Sequence, residues 1–411
     1  MWSLQSRVGA ALIVVGSSML AATGCDEAVE EAVRATATET VVAPVVNAPS
    51  EQQEKRFIEQ VLSSAQRGDA RSINDLIDWD SLSRRAAREL HAPQGVLDGV
   101  VKGAKDACVG RGVCASLAAV GQGKAKLRHL GPLSISGERW TAFRRMPTEG
   151  GFDHISFLLS ADSKGAARAI DVLVLSIGET SSETLRRALL PMLALDRDHV
   201  VRRLQGTESA FAKHGAEITK AQQLAFEGKP AEALAILSKL PTTLRNDRFV
   251  MTQRITFTQM SGDQQAYLTA IDELAARHPR ATVTMLTLLD AYAIRGRFTD
   301  AVNVVQQLET MLTPDPYLGV LRSQLLASAN LPIDAAAAAR KAIEREPELI
   351  EAHWALIAAT LKQHAYPETT SALITLHRTF GLEIAIEGVP EYAGYVASTE
   401  YAALKAQLAT P

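Results

Sequence analysis

Gly228-Lys229-Pro230-Ala231-Glu232-Ala233 and Gly296-Arg297-Phe298-Thr299-Asp300-Ala301 are the stretches on which the fold turns. In both, an alanine follows a glycine by five residues. Gly262 stands midway, so the glycines are spaced by 34 and 34, and the next positions in step are Asn330 and His364. Five residues after each of the five positions come Ala233, Tyr267, Ala301, Ala335 and Thr369. Pro279 and Pro347 follow their turns at one common phase.

Elementary physics turns this spacing into a helical repeat. Glycine, and less readily asparagine, adopts the positive φ that reverses a chain tightly after a helix. A small residue early in the second helix lets the two helices approach closely. Large apolar residues then recur on the second helices: Leu234, Leu237 and Leu240; Leu268, Ile271 and Leu274; Val302, Val305 and Leu308. One helix pair cannot bury such a face, so successive pairs must stack.

The two quoted stretches resemble the turn and second-helix start of tetratricopeptide repeats. On that resemblance five repeats fill residues 214–381, with Gly228, Ala233, Gly262, Gly296, Ala301, Asn330 and Ala335 as structural turn positions. The second repeat departs from the pattern at Tyr267, and the fifth, degenerate, at His364 and Thr369. The resemblance implies a concave groove, lined by the first helix of each pair, that binds a peptide or a folded partner. Arg254, Thr258, Thr284, Thr287 and Tyr292 are its candidate lining residues. Residues 382–411 read as a terminal capping helix through Tyr392, Tyr395, Val396, Leu404 and Leu408; a docking segment for a partner is the other reading.

Upstream, residues 51–195 change period from helix to strand. Phe57, Ile58, Val61, Leu62 and Ala65 recur at helical spacing, Gly68-Asp69-Ala70 breaks the helix, and Asp69 can cap the next. Helical stretches follow at Ser83–His91 and Val96–Ala107. Lys126–Ser136, Arg139–Met146, Phe152–Ala161 and Ala166–Ile177 then read as four strands joined by short turns, hence an antiparallel meander. Thr180–Ala194 returns to helix, and residues 196–213 form a connecting helix. Helices followed by a meander make an α+β order. The Gly68-Asp69-Ala70 break before a Leu/Ile helix, followed by long strands, resembles the NTF2-like group of cone-shaped domains, whose members include enzymes, ligand binders and catalytically silent modules. Trp140, Arg144, His154 and Asp171 are where acid–base chemistry or a ligand pocket would sit; a core tryptophan and ordinary strand-face polar residues are the competing reading.

At the other end, Arg7 precedes the apolar run Val8–Ala22, and Leu20-Ala21-Ala22-Thr23-Gly24-Cys25 resembles the lipobox of bacterial lipoproteins, departing from it at Ala22. The resemblance implies a signal peptide over 1–24 and acylation of Cys25, holding the chain to membrane lipid. A plain secretory signal with a free Cys25 is the alternative. Asp26 leans toward the inner membrane, with the outer membrane open. Residues 25–50, rich in Ala, Val, Thr, Glu and Pro, read as a disordered acidic tether.

Only three cysteines are present, so no disulfide scaffold is expected. An exported chain is nevertheless oxidised. Cys108 and Cys114 bracket Val109-Gly110-Arg111-Gly112-Val113, a loop with the glycines needed to close a disulfide. No third ligand makes a metal site there.

The 411 residues are 47% apolar and 5% aromatic, and the net charge is −3. These values favour alanine-rich packed helices and carry no basic excess for nucleic acid. No metalloprotease, serine-hydrolase or P-loop signature occurs, and no cofactor is implied. The expectation is an α+β, NTF2-like domain followed by an all-α, tetratricopeptide-like solenoid. The function expected is a periplasm-facing, membrane-anchored, non-catalytic scaffold for an envelope protein, with no nucleic acid. The alternative is a ligand-binding or enzymatic first domain with the repeats serving oligomerisation. The sequence leaves the oligomeric state open.

Overall fold

The computed structural model describes residues 46–90, 92–196, 204–312 and 314–408. The expected signal peptide, Cys25, residues 25–45 of the tether and residues 197–203 of the connecting stretch lie outside the described residues. Two compact units separate along the chain, one ending at Thr287 and the other beginning at Leu288.

Among the described residues, the first unit begins with five helices: α1 (Glu51–Gln66), α2 (Ala70–Asn74), α3 (Trp79–Ala86), α4 (Gln94–Gly110) and α5 (Val113–Ala118). The first three starts have a side-chain cap. Ser50 and Gln53 form a reciprocal capping box at α1, Asp69 accepts from the Ser72 N–H at α2, and Asp78 accepts from the Ser81 N–H at α3. An antiparallel meander follows, β1 (Ala125–Ile135), β2 (Glu138–Pro147), β3 (Asp153–Ala161), β4 (Ala167–Val174) and β5 (Glu179–Thr180), paired in sequence order. The first four strands match the expected runs to within a few residues. The two-residue β5 is too short for any periodicity to announce it.

Strand alternation divides the sheet into two faces. Phe143, Ile155, Phe157 and Val172 point under the helices, where Phe57 meets Phe157 edge-on at 5.5 Å and Phe157 meets Phe143 at 5.7 Å. Trp140, Leu158 and Ile170 form a separate cluster on the other face. The chain continues as α6 (Ser181–Asp196) and α7 (Gly206–Phe226). These helices cross closely: a Cβ on Gly215 would fall on the ring of Pro191.

Paired helices follow. In the first unit these are α7 with α8 (Pro230–Lys239), the single turn α9 (Thr242–Arg245), and α10 (Arg248–Ser261) with α11 (Gln264–Arg277). One apolar cluster runs from Phe57 through Leu189, Phe211 and Leu237 to Phe257, so the sheet region and the first helix pairs share a core. Helix α12 (Thr282–Ile294) spans the division, and α13 (Phe298–Met311) opens the second unit. There follow α14 (Pro316–Ser328), α15 (Pro332–Arg345), α16 (Ile350–Lys362), α17 (Tyr366–Phe380), α18 (Ala393–Val396) and α19 (Thr399–Leu408). Alanines 335, 336, 338, 339 and 342 bury the inner face of α15. At the chain end Leu404 is fully buried and the Tyr395 hydroxyl shares a 2.7 Å hydrogen bond with Thr370 on α17.

Candidate functional site

The turns come first, because they set the spacing of every surface the helix pairs present. Gly228, Gly262 and Gly296 have φ of 78°, 74° and 68°, and Asn330 and His364 have 59° and 54°. In four of the five turns the next residue donates its N–H to a carbonyl five residues back: Lys229 to Leu224, Arg297 to Tyr292, Leu331 to Leu326 and Ala365 to Thr360. That bond closes the helix end in a Schellman motif. The second turn differs, because Asp263 instead caps α11 by accepting from the Ala266 N–H at 2.9 Å. The residues five further on from the turn positions are all buried: Ala233, Ala301, Ala335 and Thr369 at 0% exposure and Tyr267 at 4%.

The expected groove residues divide by chemistry. Thr258, Thr284 and Thr287 are buried and donate their hydroxyls to main-chain carbonyls, Thr258 to Arg254 and Ile255, Thr284 to His278 and Thr287 to Thr284. They serve the backbone of their own segment rather than an incoming partner. Arg254 bridges to Glu273 at 2.7 Å, and Tyr292 lies under the Arg297 guanidinium at 4.6 Å. These two keep side-chain surface that a partner can touch. Sequence reasoning misses Arg322, Lys341 and Arg345, which with Glu309 and Asp315 line a mixed-charge pocket of about 240 Å³ in the second unit. The i,i+4 spacing of Lys341 and Arg345 is the signal that could have found it.

On the sheet, register places Arg144 between Arg128 and His154, and Trp140 between Leu133 and Leu158. Asp171 lies opposite Leu158, four residues along β3 from His154, so the structure does not bring histidine and aspartate together. Asp171 is committed elsewhere: it accepts from the Ser182 N–H at 3.0 Å and hydroxyl at 2.5 Å, and from Arg85 at 3.4 Å. Burial pushes its carboxyl above the ordinary range, against those hydrogen bonds. Asp153 is held similarly by the Ser176 N–H at 3.0 Å and hydroxyl at 2.6 Å, and burial again raises it. Asp153 ties β3 to the segment after β4, and Asp171 ties β4 to the start of α6.

A disulfide joins Cys108 to Cys114 across a Cα separation of 5.0 Å, linking α4 to α5, where Leu117 is fully buried. The loop closes because position 112 is glycine; a Cβ there would lie 2.9 Å from the Cys108 Cα and 3.0 Å from the Ala107 carbonyl oxygen.

Among the described residues, no three side chains are grouped to hold a metal ion, and no helix is long and apolar enough to cross a membrane. The described chain is an α+β region followed by a helical region. Compared with models of known protein families and with curated proteins, it matches none.

Proposed function

We propose that this chain is a bacterial envelope lipoprotein, acylated at Cys25, whose NTF2-like domain carries a tetratricopeptide-like array that acts as a non-catalytic protein-interaction scaffold on the periplasmic side. One observation carries the reading. Five positions at a constant interval of 34 residues share a left-handed turn, and each is followed five residues later by a buried side chain. A repeating helix pair of that geometry has no chemistry of its own and presents a regular surface instead. The positions of His154 and Asp171 favour this reading over an enzymatic first domain.

Two measurements test it. Fractionation of cells expressing wild type and Cys25→Ser tests the anchor, with wild type expected in membranes carrying the mass of its acyl chains. Capture from a membrane extract by the full-length protein tests the scaffold. Arg254→Glu with Tyr292→Ala is expected to abolish stoichiometric capture, and a surface change on the first domain, Arg84→Glu, to leave it intact. Loss of capture with Arg84→Glu alone, or an unanchored wild type, sinks the corresponding half. Both tests keep the chain whole, because the apolar cluster runs unbroken from Phe57 to Phe257.

A further inference from the structure

Two repeat periods carry the second helix pair onto the fourth in sequence. α10 starts at Arg248 and α14 at Pro316, while α11 spans Gln264–Arg277 and α15 spans Pro332–Arg345. The correspondence holds in detail. Asp247 caps α10 by accepting from the Phe249 N–H at 2.9 Å, and Asp315 caps α14 by accepting from the Tyr317 N–H at 2.9 Å. Gly262 and Asn330 turn the two pairs with positive φ. Side-chain differences between these repeats therefore stand out against a common backbone plan.

Two differences make space. Met251 and Leu274 are buried in the second repeat, and their counterparts in the fourth are Gly319 and Ala342. Both small residues line the pocket of about 240 Å³. A third difference reverses a charge. In the second repeat Arg254 of α10 holds Glu273 of α11 at 2.7 Å, and Arg277 stands four residues further along α11. The counterparts are Arg322, Lys341 and Arg345, so both arginines are kept and the carboxylate between them is exchanged for an ammonium. All three cations line the pocket. Its two acids are already engaged: Glu309 pairs with Arg322 at 2.9 Å, and Asp315 is the helix cap. Among the described residues, neither Lys341 nor Arg345 has a side-chain hydrogen bond or an ion pair. Like charges four residues apart on a helix repel, so this pair favours an anion placed between them.

We propose that this pocket receives a carboxylate side chain from an acidic segment of a partner protein, in the place that Glu273 fills for the second repeat. The space left by Gly319 and Ala342 admits the side chain, and Lys341 and Arg345 donate to its oxygens, as charge-assisted hydrogen bonds require. Size and charge both select it. The volume lies below the roughly 300–1,000 Å³ of small-molecule sites, which suits one side chain rather than a metabolite. Three cations against two acids leave a single positive charge in the lining, the match for one carboxylate; a phosphate dianion would also have to sit beside Glu309 and Asp315. That the carboxylate belongs to a partner rests on the scaffold reading, whereas the preference for a carboxylate rests on the pocket alone.

The test titrates the full chain carrying Cys25→Ser with a labelled, C-terminally amidated peptide of two glutamates flanked by glycines, followed by fluorescence anisotropy at low salt. Saturable binding is expected, and none to the same peptide with glutamines. Lys341→Glu supplies the carboxylate from within, as the second repeat does, and is expected to weaken binding about tenfold or more. Lys341→Met and Arg345→Gln are each expected to weaken it severalfold. Lys341 and Arg345 are exposed, so these variants should melt as the parent does. Arg84→Glu changes the net charge as much as Lys341→Glu does and should leave binding unchanged. Equal affinity in the parent and Lys341→Glu overturns the proposal. So does equal weakening by Arg84→Glu, which would be general attraction, or tighter binding of the same peptide with phosphoserines in place of the glutamates. Absence of saturable binding to the parent also overturns it, and leaves the capture test of the scaffold standing, since the peptide measurement contains no partner.

Discussion

The Arg187 guanidinium lies 4.1 Å from the centre of the Phe249 ring, with the Phe211 ring 5.8 Å away. Arg187 stands on α6, directly after the sheet, and Phe249 on α10, in the second helix pair. A single cation is thus inserted between the α+β layer and the helices that follow. It is paired with Glu179 of β5, whose side chain is also buried. Burial lowers the guanidinium from its ordinary value to about 10, against the attraction of Asp247. A cation retained under that penalty, on two aromatic faces and a carboxylate, is a structural pin.

Removing one partner of that pin should be costly. Arg187→Met keeps the apolar contact with Phe249 but leaves the Glu179 carboxylate, 5% exposed, without its cation. The loss expected is about 3–5 kcal/mol, read as a fall in the denaturant midpoint. Arg187→Met with Glu179→Gln should recover at least half of it. If the single change is neutral, the pin contributes nothing and the shared core alone joins these layers.

Asp153 yields a prediction about pH. Its folded carboxyl is raised by burial, with the Ser176 hydrogen bonds, His154 and Arg145 opposing. As pH rises above the ordinary 3.8, the unfolded chain ionises first and is favoured. The wild type therefore loses stability from this group as pH climbs from the unfolded value to the raised folded one. Asp153→Asn has no such loss. Melts at pH 4 and pH 8 should show the difference between variant and wild type moving in the variant's favour at the higher pH. Movement the other way would mean that the Ser176 bonds outweigh burial.

What the sequence makes legible follows from which demands are local. Positive φ at residues 228, 262, 296, 330 and 364 is a backbone requirement, and at the first four of these it surfaces as Gly or Asn at constant spacing. Strand alternation marks β1 to β4 for the same reason. The threonines show where this stops. Thr258, Thr284 and Thr287 have the polarity of groove residues, yet their hydroxyls close on carbonyls of their own segment, a choice of side-chain direction that spacing does not carry. The Arg187–Phe249 contact joins residues far apart in the chain and has no local signature. Trp140 reads as a candidate wall of a site, but only the register reveals that its neighbours are Leu133 and Leu158. The second helix of the disulfide loop, Val113–Ala118, is hidden because the glycines before it read as an open turn.

Gly121 carries no sequence signal of its own, and packing explains its identity. A Cβ there would fall on the main-chain nitrogen of Gly68 and lie 2.7 Å from the Gln66 carbonyl oxygen, so the α1–α2 break and the end of α5 touch backbone to backbone. Gly121→Ala should cost about 1–3 kcal/mol through forced backbone shifts. Gly103, on α4, is the control: a Cβ there meets nothing within 4 Å, and Gly103→Ala should be neutral or stabilising. Equal melting temperatures for the two variants would show that the α1–α2 break is not held by this contact.

The turn at Gly296 separates strain from packing. A Cβ there would also meet nothing within 4 Å, so any penalty for a side chain comes from φ of 68° alone. The chain shows which residue tolerates that conformation, because Asn330 occupies the equivalent turn at 59°. The left-handed region costs an ordinary residue roughly 1–2 kcal/mol, less for asparagine and more for a β-branched side chain. Melting temperatures should therefore rank Gly296 above Gly296→Asn, then Gly296→Ala, then Gly296→Val. Ala301 tests the other half of the same turn. It is fully buried, and Ala301→Leu should overpack the contact, at about 1–3 kcal/mol. The combination of Gly296→Val with Ala301→Leu should cost less than the sum, since a turn already strained open leaves room at the alanine. Strict additivity would mean that the glycine and the alanine, five residues apart, are independent requirements rather than two parts of one close approach.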